Sequence, residues 1–505
     1  MTTTATPIAE LVLDAADRNP EGIALISGAD RTSISYGVLA AMIHELATQL
    51  STAGLEPGDR AALRAPSGPA FVVGLLAASR AGLVAVPLDP ALPDAEQLAR
   101  INACGARVAL IGGEVSSAFA CWPISVDTAT GHAHLDTTTP AAPAIPGPDD
   151  LQADDALIMF TGGTTGTPKM VPWTHDNVAS SVRAVIDTYS LNPADSTVAA
   201  MPLFHGHGLI ATLLSTLASG GTVLVPASGR FSAHTFADDL LAADATWFTA
   251  VPTIHQILIG RSAAGEAGSY AGRLRFTRSC SATLSAETAA EMQTLFGAPT
   301  LSAYGMTEAT HQISSSRGEE VTTGLVGAST GPEIRIADDN GQPCPPESVG
   351  EIWLRGHTIV RGYLANPKAT EQTFTDGWLR TGDLGSLART GELTLRGRIK
   401  ELINRAGEKI SPERVEGMLV GHPQVIEAAV FGVPDALYEE KVAAVIVPDP
   451  SAPPTAAELT EFCRARLAAF EIPDTIELAD ALPHTAKGSV DRRAIAAQFG
   501  KPAAN

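Results

Sequence analysis

Apolar residues recur along the chain with two alternating periods. Short, almost unbroken apolar runs at 60–64, 83–87 and 106–111 are separated by helically spaced segments at 70–81 and 94–103. Runs that are apolar on both faces, alternating with helices, predict parallel sheet layers covered by helices. Ahead of them, 8–16 has an amphipathic helical period, 23–34 reads as two short strands and 39–50 as a second helix. The middle third repeats the rhythm, with strands expected at 198–202, 222–225, 247–251 and 274–279 and helices at 205–219, 236–242 and 286–296. Residues 127–150, dense in Thr, Pro, Gly and Ala, read as a surface linker. Beyond Val326 the pattern turns strand- and loop-rich (333–337, 349–355, 393–396), which predicts a β subdomain. The last hundred residues read as a compact α+β unit, with helices at 412–421 and 456–467 and strands at 425–433 and 441–447. The fold class expected is therefore α/β. A large N-terminal domain of layered sheets covered by helices, with its β subdomain, spans 1–399, and a small C-terminal α+β domain spans 400–505.

Composition narrows the class. A chain of 505 residues exceeds what one hydrophobic core organises, so two or more domains are expected. A hydrophobic share of 45% with 18% charged residues belongs to a globular enzyme and not to a disordered chain. The net charge of −21 argues against nucleic acid or an anionic membrane as partner, so an anionic substrate must be met by a local basic site. Five cysteines without CxxC spacing suggest neither a disulfide framework nor a zinc site and fit a reducing cytoplasm. No charged-then-apolar leader opens the chain, and no apolar run approaches the ~18 residues that span a bilayer, so neither a targeting signal nor membrane insertion is expected. Oligomeric state is not legible.

Chemistry first appears after the apolar run 156–160, in Phe160-Thr161-Gly162-Gly163-Thr164-Thr165-Gly166-Thr167-Pro168-Lys169. Glycines let main-chain N–H groups approach phosphate oxygens, threonine hydroxyls add donors, and Lys169 adds fixed positive charge. A nucleotide-triphosphatase P-loop would need Gly-Lys-Ser/Thr opening directly into a helix. Here Pro168 precedes the lysine and Pro172 follows it, so a different, more mobile cradle is expected.

The full string resembles the phosphate-binding signature of the adenylate-forming superfamily, which includes acyl-CoA synthetases, luciferases and peptide-synthetase adenylation domains. Gly162 stands where that family usually has serine. Further strings match from about residue 30 to 499. In Tyr304-Gly305-Met306-Thr307-Glu308 the resemblance implies a tyrosine stacked on adenine, a threonine at phosphate and a glutamate holding Mg²⁺. Asp383 in Thr381-Gly382-Asp383, together with Arg398, corresponds to the ribose clamp. Ser281, Ala282 and Ala303 complete the implied ATP site, with Thr165 as a catalytic loop residue. Lys400 takes the hinge position, and Gly407-Glu408-Lys409 lie in the loop that lines the channel for the pantetheine arm of CoA. ATP, Mg²⁺ and CoA are thus the implied cofactors and co-substrates, and a small carboxylic acid the partner.

The strings 201–208, 250–255, 278–282 and 307–311 should converge on the acyl pocket. They supply imidazoles and hydroxyls where a fatty-acid ligase needs an apolar tunnel. Their wording is similar to that of the oxalyl-CoA synthetase branch, with His205, His207, Ser281 and His311 as candidates to hold a second carboxylate; His205 also matches the superfamily's gate beside the acyl group. A different small dicarboxylate or a fatty acid, a carrier-loading adenylation enzyme and a paralogue without catalysis are the other readings.

One motif departs from the family. Relatives usually read Thr-x-Ser-Gly-Lys-Ile-x-Arg near the C-terminus, whereas this chain reads His484-Thr485-Ala486-Lys487-Gly488-Ser489-Val490-Asp491-Arg492. Lysine and serine have exchanged places. In extended chain, residues two apart point to one side, so Lys487 is expected to reach the site; the alternatives are a surface Lys487 with slow adenylation, or substitution by Arg492 or Lys409.

Overall fold

The structure, a computed structural model, describes residues 6–113, 119–143, 147–161, 168–263, 273–318, 321–406, 408–435, 437–484 and 490–499. Its first sheet has seven strands in the order His132–Leu135, Cys121–Asp127, Val108–Ile111, Arg60–Arg64, Val84–Leu88, Asp155–Phe160, Met170–Thr174. The central strands run parallel, because each is followed by a crossover helix, Pro69–Arg80 or Asp94–Cys104. A second sheet of four strands joins Ile23–Ser27 and Ser33–Ser35 to Ser196–Val198 and Thr222–Val225. The helices Ile8–Arg18, Tyr36–Thr52 and Pro69–Arg80 bury their apolar faces in the core shared by these layers.

The third sheet has ten strands and changes character midway. Trp247–Ala250, Phe276–Ser279 and Thr300–Met306 are parallel. The chain then reverses into His311–Ser315, and every following strand is antiparallel. The strand-rich stretch beyond Val326 is therefore hydrogen-bonded into this sheet and does not form a sheet of its own. A fourth sheet draws all five of its strands from 403–478 and is covered by helices Pro412–Val420 and Ala456–Arg464. It is the smaller α+β domain.

Three expectations change. The stretch read as linker contains the strand His132–Leu135, paired with Cys121–Asp127, which the sequence also hid. Pro252, read as a strand end, opens the helix Pro252–Ala263, where a missing N–H costs nothing. The loop around residue 407 is held by a short hairpin, Ile403–Arg405 against Glu408–Ile410. Among the described residues no helix is long and apolar enough to cross a membrane.

Candidate active site

The cradle loop leaves strand Asp155–Phe160 and returns as Met170–Thr174. Phe160 pairs with Met170, and Thr161 N–H donates to Lys169 O at 3.1 Å, which closes the loop's base. Gly162, Gly163, Thr164, Thr165 and Gly166 lie outside the described residues. No helix follows directly; the helix His175–Tyr189 starts only after the second strand, capped by Thr174. At the far end of the same strand pair from the loop, buried Asp155 is fixed by a two-pronged pair with Arg361 at 2.5 and 2.6 Å.

Lys169, at the loop's return, meets the second motif. Its Nζ sits 4.2 Å from the centre of the Tyr363 ring, and the Tyr363 hydroxyl donates to Glu308 Oε1 at 2.8 Å. Burial lowers the Lys169 amine below its ordinary value, Glu308 opposes that shift, and Lys400 adds to it. Lys169, Glu308 and Lys400 thus share one electrostatic neighbourhood. Trp173 Nε1–H donates to Thr307 O at 2.8 Å, which ties the Thr307-Glu308 turn to the loop's outgoing strand. Tyr363 was not foreseen, because a tyrosine in a loop-rich stretch carries no signal of its own.

Strand Thr300–Met306 carries Ala303, Tyr304 and Gly305. The Tyr304 hydroxyl donates to Asp383, whose other oxygen receives Arg398 Nε at 2.9 Å; Asp383 and Arg398 face each other across paired strands. Burial pushes the Asp383 carboxyl above its ordinary value, with Arg398 and Tyr304 pulling it back. Buried lone pairs beside a guanidinium suit the hydroxyls of a sugar.

The imidazole strings also converge. His207 starts a π-helix, His207–Leu214, a winding common at functional sites. Gly208 permits the turn, since a Cβ there would collide with Pro202 O. His207 Nδ1 lies 3.1 Å from Ser281 Oγ and its Nε2 2.6 Å from Thr249 Oγ1, and the His207 ring stacks on His311 at 5.1 Å. Ser281 and His311 hold φ of 73° and 79°, a left-handed conformation that non-glycine residues adopt uncommonly. Gly305 makes room beside them, as a Cβ would strike His311 O. His205 lies against Phe204, with ring centres 4.7 Å apart. Ser281 and Ala282 are exposed; His207 and His311 are buried. Behind both imidazoles is Arg278, the first residue of the 278–282 string but not among the candidates singled out from it, which is wholly buried.

In the C-terminal domain, Glu408 and Lys409 are exposed on the hairpin Ile403–Arg405 and Glu408–Ile410, and Gly407 lies outside the described residues. So does Lys487. Arg492 is committed elsewhere, to Glu401 at 2.6 Å and Glu416 at 2.5 Å, with Glu413 at 3.5 Å.

A sequence model of the AMP-binding enzyme family matches residues 12–364, and that of the AMP-binding enzyme C-terminal domain matches 414–489. The chain belongs to the adenylate-forming AMP-binding enzymes. Like other AMP-binding enzymes of its group it is an AMP-forming acid–thiol ligase that uses ATP, Mg²⁺ and CoA. It is 40% identical over 508 residues to an oxalate–CoA ligase of Arabidopsis thaliana, covering 97% of this chain and 98% of that protein. To an oxalate–CoA ligase of Saccharomyces cerevisiae it is 43% identical over 358 residues, 70% of this chain and 65% of that one. ATP-bound MatB from Rhodopseudomonas palustris superposes with a TM-score of 0.85 at 28% identity, covering 97% and 99% of the two chains.

Proposed function

We propose that this AMP-binding enzyme ligates oxalate to CoA. The observation that carries the reading is the polar wall of Ser281, His207 and His311 where an aliphatic acid would need apolar side chains. A second carboxylate is buried only at prohibitive cost unless donors meet it. The two oxalate–CoA ligases named above support the choice of acid.

The residues divide the two steps as follows. Ser281, His207 and His311 form the wall that receives the distal carboxylate, His207 acting through the Ser281 hydroxyl, and His205 stands at the gate beside the acyl group. The proximal carboxylate oxygen attacks the α-phosphorus of ATP as the bond to pyrophosphate breaks. Lys169, with Thr161 to Thr165 and Gly166, neutralises and cradles the phosphates, and Thr307 adds a donor. Tyr304 packs on adenine with Gly305, Ala303 and Ala282 beside it, and Asp383 and Arg398 receive the ribose. Glu308 is the protein ligand for Mg²⁺, which supplies charge neutralisation at the phosphates when bound. One buried carboxylate fits that ion, because Mg²⁺ takes most of its ligands from phosphates and water; among the described residues no cluster of three metal-binding side chains exists. Lys487 bridges the attacking carboxylate and the ribose-side oxygens. The domain boundary falls at 399/400, so Lys400 is the hinge about which the small domain turns before the thiol of CoA attacks the acyl-adenylate and AMP leaves. Glu408 and Lys409 then flank the channel at Gly407. The five free cysteines fit a cytoplasmic enzyme.

The test is CoA-dependent AMP release across a panel of acids. Oxalate is expected to be preferred over acetate and malonate, with palmitate poor; Ser281→Ala and His311→Ala each lower kcat/KM for oxalate by roughly tenfold, the cost of removing a polar partner of the bound carboxylate. Better turnover of palmitate than of oxalate would sink the reading.

A further inference from the structure

Arg278 sits in the middle of strand Phe276–Ser279 and is wholly buried. A buried guanidinium ordinarily has a carboxylate against it, because an unpaired charge inside a protein is costly. Here every polar partner is neutral. Nε donates to the Tyr189 hydroxyl at 2.8 Å, Nη1 lies 2.9 Å from Thr249 Oγ1 and 3.1 Å from His207 Nε2, and Nη2 lies 2.7 Å from Gln312 Oε1 and 3.2 Å from His311 Nε2. Among the described residues, no acid balances it.

The contacts decide how both imidazoles are protonated. A hydrogen on His207 Nε2 or on His311 Nε2 would be set against a guanidinium N–H, so both Nε2 atoms present lone pairs and accept. Each ring then carries its hydrogen on Nδ1. On His207 that hydrogen donates to Ser281 Oγ at 3.1 Å. On His311, Nδ1 faces the Gly305 backbone, 3.2 Å from where a Cβ would stand. Burial, and after it the charge of Arg278, holds both rings well below the ordinary histidine range, so both are neutral near pH 7 and Arg278 is the fixed cation behind them. Burial grades outward: Arg278 is 0% exposed, His311 4%, His207 5%, and Ser281 is open.

We propose that Arg278 is the positioning residue that makes the acyl pocket select an acid with a second negative charge. Its guanidinium locks both histidines as Nδ1–H donors and polarises them, and its uncompensated charge is completed by the dianion. An imidazole that accepts from a cation on one nitrogen is a stronger donor on the other. This deepens the oxalate reading and rests on it.

The experiment compares oxalate with oxamate, which keeps the skeleton and lacks one charge, in acid-dependent ATP–pyrophosphate exchange. The unmodified enzyme is expected to favour oxalate by roughly a hundredfold, the scale of a buried charge-assisted contact. In Arg278→Met the preference falls about tenfold or more, through KM for the acid and with KM for ATP unchanged; Arg278→Lys, which keeps the charge and loses the fork, falls between. A folded Arg278→Met enzyme that keeps the full preference overturns the proposal. A second measurement needs no variant: ¹⁵N-histidine spectra of the unmodified protein should show His207 and His311 as Nδ1–H tautomers, and Nε2–H or doubly protonated rings overturn it equally. If another acid wins the panel, the oxalate reading falls, and that acid compared with its monoamide still tests Arg278.

Discussion

Arg492 has two carboxylates within 2.6 Å and a third at 3.5 Å, which removes it as the cation that replaces the displaced family lysine. Lys409, on the exposed strand of the hairpin, belongs to the CoA-facing side in the same reading. On the proposed mechanism adenylation falls to Lys487. Lys487→Ala should slow oxalate-dependent pyrophosphate exchange by about a hundredfold, as for loss of one transition-state contact, while Ser489→Ala stays within about threefold; a Lys487→Ala enzyme exchanging at the unmodified rate takes Lys487 out of the mechanism. At this scale the sequence was legible where motif and chemistry coincide, as in Tyr304, Glu308 and Asp383. It was not legible for Arg278 or Tyr363. A charged residue between Thr277 and Ser279 carries no mark of what faces it, and the partners of Arg278 come from positions 189 to 312, which only the closed fold assembles.

The alternation of strand and helix was legible because strands buried on both faces are apolar throughout, as Val84–Leu88 is. Strand His132–Leu135 was not, since it alternates exposed and buried residues among turn-forming neighbours. The helix at His207 was foreseen as a helix, though not as one wound wide at its start. The hairpin Ile403–Arg405 and Glu408–Ile410 gives the CoA-facing loop a firm base, with Arg405 held to Asp474 at 2.6 Å and to Phe470 O at 2.9 Å. A firm base makes a side chain at the turn an obstacle that cannot easily yield. Gly407→Leu should therefore keep pyrophosphate exchange within about threefold while thioester formation drops by about a hundredfold or more; equal loss of both half-reactions would count against a domain turn between them.

For the whole molecule, buried histidines set the response to acid. His255 is fully buried, its ring 6.0 Å from that of Phe248, and burial pushes its imidazole down to about 4. Between its unfolded value of 6.5 and that value the unfolded chain binds a proton that the folded one refuses, so stability falls as pH falls through this window. At pH 5 the loss is about 2 kcal/mol for this residue. Burial raises the carboxyls of Asp383, Glu401 and Glu416, which act in the opposite sense at pH values above their ordinary ones. The clean measurement is thus a difference: denaturant unfolding at pH 7 and pH 5 should show His255→Leu losing about 2 kcal/mol less than the unmodified protein between the two, and equal losses would refute it.

The five-partner seat of Arg278 bears on how such an enzyme changes its diet. Widening an apolar pocket proceeds one methylene at a time, each variant passable. A pocket floored by a cation offers no such gradient, because replacing the arginine strands two histidines, a glutamine, a threonine and a tyrosine together, and replacing any one of these leaves the arginine short. Laboratory evolution toward aliphatic acids should stall at single substitutions and advance only when the floor is exchanged as a block.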